Sequence, residues 1–269
     1  MIRQPIKKKW HFILGALSIL LMVVSYTVIS HWQHEKNPND TTIPTWSQIK
    51  GGVETAFQVN RRSGERWILV DSIATLERLL LGLFFGVAGA LVFGLLMGCL
   101  AVMESFFIPP LTILALIPPT AALAVYFVLV GTDIEMYVTM IALGIGATMA
   151  RTIYLAVKDV PHDLLYKAYT LGASECEVVW NVIFRHILPK FLDTIRLHIP
   201  PAMIFLIAAE MVCGDVGFGY RIRLQSRLLN MSVVYPYLAL LAAYGFTMDF
   251  GLRKLQQFAC PWHVPEGRR

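Results

Sequence analysis

The residues with the most chemical potential gather around the end of one apolar run. Residues 197 to 209 carry no charged side chain, and Glu210 closes the run. A carboxylate at membrane depth is costly unless paired or hydrated, which makes Glu210 a functional candidate by default. Just beyond it stand Gly217-Phe218-Gly219-Tyr220, then Arg221, Arg223 and Arg227. These arginines either draw an anion toward the surface or are solvated interfacial charges. Asp249 precedes Arg253 by four residues, the spacing of a helix-surface ion pair.

Other reactive residues lack the spacing of a catalytic or metal site. Cys99, Cys176, Cys213 and Cys260 show no metal or redox pattern and read as small buried residues. The seven histidines form no His-x-x-x-His pair, and the chain has no Gly-Lys dipeptide, hence no phosphate loop. No span holds a nucleophile beside a base or a pair of carboxylates. The chain is therefore expected to bind no cofactor or metal, to hydrolyse no ATP by itself and not to be an enzyme.

The elements that position these residues are membrane helices. Of the residues, 56% are hydrophobic and 15% charged. Uncharged runs cover 12–30, 79–103, 105–132, 136–150, 197–209 and 228–248. About 20 helical residues cross a bilayer core, so these runs predict about six spans in an all-α, polytopic fold. The first run is longer than a signal-peptide core and lacks a small-residue cleavage pattern, so it reads as an uncleaved helix. Fourteen of the 23 basic residues, among them Arg3, Lys7, Lys8, Lys9, Arg268 and Arg269, fall on one side when the N-terminus is set inside. That bias predicts both termini in the cytoplasm. The net charge of +5 then belongs to the inner membrane surface and not to a nucleic-acid footprint.

Three stretches depart from a plain bundle. Gly82, Gly86, Ala90, Gly94 and Gly98 form a small-residue stripe on one face of the second span, suited to close helix packing or to sliding. The third run is expected to break at Pro109-Pro110 and again at Pro118-Pro119, which would turn irregular backbone toward protein or a water-filled path. The polar segment 151–196 reads as two short amphipathic helices, one ending at Gly172 and the other stopped at Pro189. Between the first two spans, 31–78 is expected on the outer membrane surface or on other helices, with an amphipathic piece at 45–59.

At this point the residues become specific. Leu171-Gly172-Ala173-Ser174, Pro189 seventeen residues after the glycine, and Arg196 resemble the cytoplasmic loop of ABC importer permeases. Ile117-Pro118-Pro119, Ala208-Ala209-Glu210-Met211 and Gly217-Phe218-Gly219-Tyr220 resemble the nitrate, sulfonate and taurine branch. The tail Gly251-Leu252-Arg253-Lys254-Leu255-Gln256, with Pro261-Trp262-His263, looks most like taurine permeases. With Ile43-Pro44, the likeness covers about 43–263. The chain departs from the branch at Tyr166 and Lys167, where a Glu-Ala pair precedes the alanine, and at Arg185, where many members have proline.

The resemblance implies a type I ABC importer permease fold in a bacterial inner membrane. It divides the chain into a tail, first helix and linker (1–42), a permease domain (43–255) containing the coupling segment 151–196, and a cytoplasmic tail (256–269). It implies a homodimer of permease copies, two ABC ATPase subunits holding ATP and Mg, and a periplasmic or lipid-anchored binding protein. Contact with the ATPase falls to Tyr166, Lys167, Ala168, Leu171, Gly172, Ala173, Ser174 and Pro189. The pathway or its gate falls to Pro118, Pro119, Glu210, Gly217, Gly219 and Tyr220, and an outer contact with an anion or the receptor to Arg221, Arg223 and Arg227. Because Glu210 would repel an anionic solute, a structural or gating role, with a bond to the glycine turn, is expected of it ahead of the alternative, contact with the solute. The implied solute is a taurine- or sulfonate-like, nitrate-like or bicarbonate-like anion. A stand-alone channel or ion-coupled carrier is the alternative, for which Glu210 alone makes no proton relay.

Overall fold

The computed structural model describes residues 8–38, 40–59, 64 and 66–262; Arg3, Lys7, His263, Arg268 and Arg269, named above, lie outside them. Apart from a bridge between Val59 and Arg66, the regular elements among the described residues are helices. Five are long and apolar enough to cross a membrane: Phe12–Lys36, Trp67–Cys99, Ile134–Lys158, Glu175–Cys213 and Met231–Ala259. The third expected span is instead two shorter helices, α4 (Ala101–Leu116) and α5 (Leu123–Val130).

The chain forms two compact units. One comprises residues 1–67 and 222–238. Here α1 (Lys8–Lys36) is joined to α2 (Trp46–Phe57), which is the amphipathic piece expected at 45–59. Thr45 starts α2 with a capping box closed by Gln48, which satisfies two otherwise orphan backbone donors. The Tyr26 hydroxyl donates to the Pro44 carbonyl at 2.6 Å, and its ring meets Trp46 and Tyr235 at 5.3 and 5.7 Å. A Cβ on Gly52 would lie 2.0 Å from the Ser232 carbonyl oxygen, so α2 rests on other helical backbone through a position that only glycine fits.

The second unit comprises residues 68–221 and 239–269. Its scaffold is α3 (Trp67–Cys99), α6 (Ile134–Lys158) and a continuous helix made of α8 (Glu175–Glu177), a π segment (Val178–Phe184) and α9 (Arg185–Cys213). The glycine stripe of α3 packs on β-branched side chains of α6. A Cβ at Gly82, Gly86, Gly94 or Gly98 would fall within 2.5–2.9 Å of Ile141, Ile145, Ile153 or Val157 respectively. The offset is the same in each pair, so the two helices run parallel and in register. The stripe is a packing seam, which is how helices gain contact when lipid is as apolar as leucine. On the next face of α6, Gly144 admits the Phe205 ring of α9.

Prolines act differently from the sequence expectation. Pro109 and Pro110 lie inside α4 and do not break it. Neighbouring helices can support the freed backbone groups of such a proline, and here α4 is held to α6 by Glu104, which binds Lys158 at 2.7 Å and the Tyr154 hydroxyl at 2.6 Å. Pro118-Pro119 does end the run, in a turn where Ala121 and Ala122 both donate to the Pro118 carbonyl. Pro189 does not stop the second helix of the polar segment. It lies buried within α9, five residues after the π segment. A widened turn is one way a helix accommodates a disturbed bonding ladder.

Candidate functional site

Two sites face opposite ends of the spans in the second unit. The first is built from α7 (His162–Thr170) and the start of α8. The chain reverses at Gly172, whose φ of +83° is a conformation glycine adopts without penalty. Gly172 N–H donates to the Tyr169 carbonyl at 2.9 Å and Ala173 N–H to the Ala168 carbonyl at 3.1 Å. This pair of bonds is a Schellman motif. Ala168 and Ala173, the residues that flank it, both pack on the core. Two residues on, the Ser174 side chain caps the next helix, and Glu177 returns a bond to Ser174 N–H at 2.8 Å. The turn is thus stapled by a C-cap at Leu171 and an N-cap at Ser174 with two residues between them.

What the turn presents is apolar. Leu171 is 87% exposed and Tyr166 65%, with Tyr169 and Leu164 also exposed and Lys167 beside them. Ala168 and Ala173 face inward, so the expected coupling residues divide into an anchor and an offered edge. Pro189 is apart from this edge, buried in α9, where its carbonyl accepts from Gln256 Nε2 at 3.0 Å.

The second site surrounds Glu210, which is fully buried in the last turn of α9. Gly219 N–H donates to Oε2 at 2.8 Å, Arg78 donates to Oε1 at 3.0 Å, and the Thr75 hydroxyl lies 2.9 and 3.1 Å from the two oxygens. The bond to the glycine turn is the one expected for Glu210. Arg78 also donates to the Val216 carbonyl at 2.9 Å and lies over the Tyr137 ring at 4.2 Å. Thr75 accepts from Phe218 N–H at 2.9 Å.

One turn away, Asp71 accepts from Gly217 N–H at 3.0 Å and from the Arg221 guanidinium at 2.8 and 3.3 Å. Gly217 has φ +114°, and a Cβ there would lie 2.5 Å from a Glu210 oxygen. Gly219 is equally confined, against the Ile207 carbonyl and Glu210 Cβ. Gly217 is therefore demanded by the closeness of the carboxylate, and Gly219 by the closeness of the α9 backbone and Glu210 Cβ. Tyr220 is half-buried on the helix α10 (Phe218–Arg227).

The outer arginines separate. Arg221 is buried on Asp71, so its charge is spent inside the protein and not offered to an anion. Arg223 is half-buried and Arg227 exposed. Pro118 is exposed and Pro119 lies beside Gly144, away from the Glu210 cluster. Asp249 pairs with Arg253 at 3.0 Å as its spacing suggests, and also with Arg196 at 2.8 Å.

Sequence reasoning missed Asp71, Thr75 and Arg78. They fell in the polar stretch before the second apolar run, yet α3 begins at Trp67 and carries them. Their spacing of four and three residues puts them on one helical face, a signal that was present in the sequence. Among the described residues, no group of three His, Cys, Asp or Glu could hold a metal ion.

The arrangement is that of a multi-pass helical membrane protein with the type I importer permease fold. Chains of the MetNI methionine ABC transporter in inward-facing conformations superpose with a TM-score of 0.61 at 19% identity, covering 69% of this chain and 93% of theirs. The chain belongs to the family of binding-protein-dependent transport system inner membrane components, whose model matches residues 78–257. It is 30% identical over 190 residues to the taurine transport system permease protein TauC of Escherichia coli, covering 71% of this chain and 69% of that one. It is 25% identical over 188 residues to the putative aliphatic sulfonates transport permease protein SsuC of Bacillus subtilis, covering 70% and 68%. The ABC permease family that the motifs resemble is the family found.

Proposed function

We propose that this chain is the permease subunit of an ATP-driven importer for a sulfonate-type solute such as taurine. In this reading it works as a homodimer, with two ATPase subunits seated against Tyr166–Ser174 and a binding protein delivering solute from the opposite side. The observation that carries the reading is the rigid turn at Gly172, which holds Leu171 and Tyr166 out of the protein while its alanines anchor it. An apolar edge held this way matches a groove on a partner, and the names of the relatives support the solute class. ATP and Mg belong to the partner. To swing a pathway from about 1:99 to 99:1, nucleotide must favour one state by about 5.5 kcal/mol, and that bias passes through this turn. At the other end, Glu210, Arg78 and Asp71 tie the glycine turn to α3, so that a shift of α9 is transmitted to the outer gate.

The test is purification of the tagged chain from its native membrane, followed by ATP turnover and uptake of labelled taurine in proteoliposomes. The expected result is co-purification of an ATPase whose turnover drives uptake. Gly172→Asp should abolish that coupling; its Cβ meets nothing within 4 Å, so the cost to the fold is the backbone strain at φ +83° alone. Full uptake by this variant, or labelling of a Ser174→Cys variant from the cell exterior, overturns the reading.

A further inference from the structure

Half of the described cations near the α7 end of the spans have a carboxylate. Lys158 is paired with Glu104, Lys190 with Asp159, and Arg196 with Asp249. Arg151 on α6, like Lys167, Arg185 and Lys254, has none: among the described residues it makes no ion pair and no hydrogen bond, and it is exposed. It lines a cavity of about 260 Å³ together with Met97 of α3, Ile108, Leu111 and Thr112 of α4, and Tyr154 and Leu155 of α6.

The depth of this cavity follows from the helices that wall it. Met97 is two residues from the end of α3, Ile108 seven from the start of α4, and Arg151 seven from the end of α6. At 1.5 Å per residue, the cavity begins at one face of the spans and reaches roughly 10 Å inward. Tyr154 and the Lys158–Glu104 pair lie toward the helix ends, side chains of the kind that populate a membrane interface.

We propose that this cavity binds the headgroup and upper acyl chain of an anionic phospholipid, with Arg151 holding the phosphate. An unpaired cation in this layer needs an anion or water. A small hydrated oxyanion is the poorer occupant, because Met97, Ile108, Leu111 and Leu155 offer nothing to replace its water, and the Thr112 hydroxyl is already turned to the Ile108 carbonyl at 2.8 Å. A phospholipid brings its own apolar chain to those side chains. Basic pockets between spanning helices are suited to such headgroups.

The test uses the whole transporter purified in detergent, with phosphatidylglycerol or phosphatidylcholine added at equal ratio and bound lipid counted by native mass spectrometry. Wild type should retain phosphatidylglycerol about fivefold better than phosphatidylcholine, the preference expected of one basic residue near the surface. Arg151→Gln should abolish the preference, Arg151→Lys should keep part of it, and Ile108→Trp, which fills the cavity but spares the charge, should also lose it. Equal phosphatidylglycerol retention by wild type and Arg151→Gln overturns the proposal. So does retention of neither lipid by wild type, the outcome if a second copy of the chain covers the cavity. Displacement of phosphatidylglycerol by millimolar sulfate also overturns it, since it would make the pocket a site for free oxyanions.

Discussion

Asp71 and Arg221 meet at 2.8 Å across 150 residues of chain, the carboxylate fully buried and the guanidinium nearly so. Asp71 also accepts from Gly217 N–H, so one side chain of α3 fixes both the turn after α9 and the helix that follows it. Removing one member of a buried pair leaves an uncompensated charge, at about 3–5 kcal/mol. Asp71→Asn should therefore lower unfolding stability in detergent by that order. The double change Asp71→Leu with Arg221→Met should recover much of the loss, since no buried charge then lacks a partner. A double-mutant cycle read by thermal unfolding decides the matter, and additive losses would show that the pair is not coupled.

The two left-handed glycines should behave differently. Gly172 has open space around it, so Gly172→Ala should cost only backbone strain, about 1 kcal/mol. At Gly217 the strain adds to a clash with the Glu210 carboxylate, and Gly217→Ala should cost about 2 kcal/mol or more. Thermal midpoints of the two purified variants, compared in one detergent, give the order.

Along α3, Gly94→Val should force Ile153 from its place, an overpacking cost of about 1–3 kcal/mol. Gly89, with nothing within 4 Å of its Cβ position, is the control, and Gly89→Val should be near neutral. If both substitutions were equally mild, the seam with α6 would not be close-packed.

The cap at Ser174 and the exposed Leu171 separate stability from the proposed coupling. Ser174→Ala removes an N-cap and should cost about 1 kcal/mol, seen as faster hydrogen exchange over 175–184. Leu171→Asp should leave unfolding unchanged because the side chain is 87% exposed, while ATP-driven uptake should fall at least severalfold. Retained uptake would remove Leu171 from the coupling edge.

Much of this protein was legible in one dimension, because a bilayer imposes a length and an apolarity that a linear scan can read. The long spans, the amphipathic α2, the break at Pro118-Pro119, the reversal at Gly172 and the bond from Glu210 to its glycine turn all rest on local residue types or near neighbours. Where local rules compete with packing, the linear reading failed: Pro109, Pro110 and Pro189 looked like breaks and were absorbed into helices.

Partner choice belonged to the tertiary structure. Nothing in the order of residues said that Arg221 would turn inward to Asp71, that Arg78 and Thr75 would converge on Glu210, or that the glycine stripe would meet Ile141, Ile145, Ile153 and Val157. Charge and spacing specify what a side chain needs, whereas the satisfaction of a buried group depends on which distant helix arrives beside it. Sequence alone thus determined the membrane class, the family motifs and the reversal at Gly172; only the packed helices decided which charges are consumed inside the protein and which stay exposed.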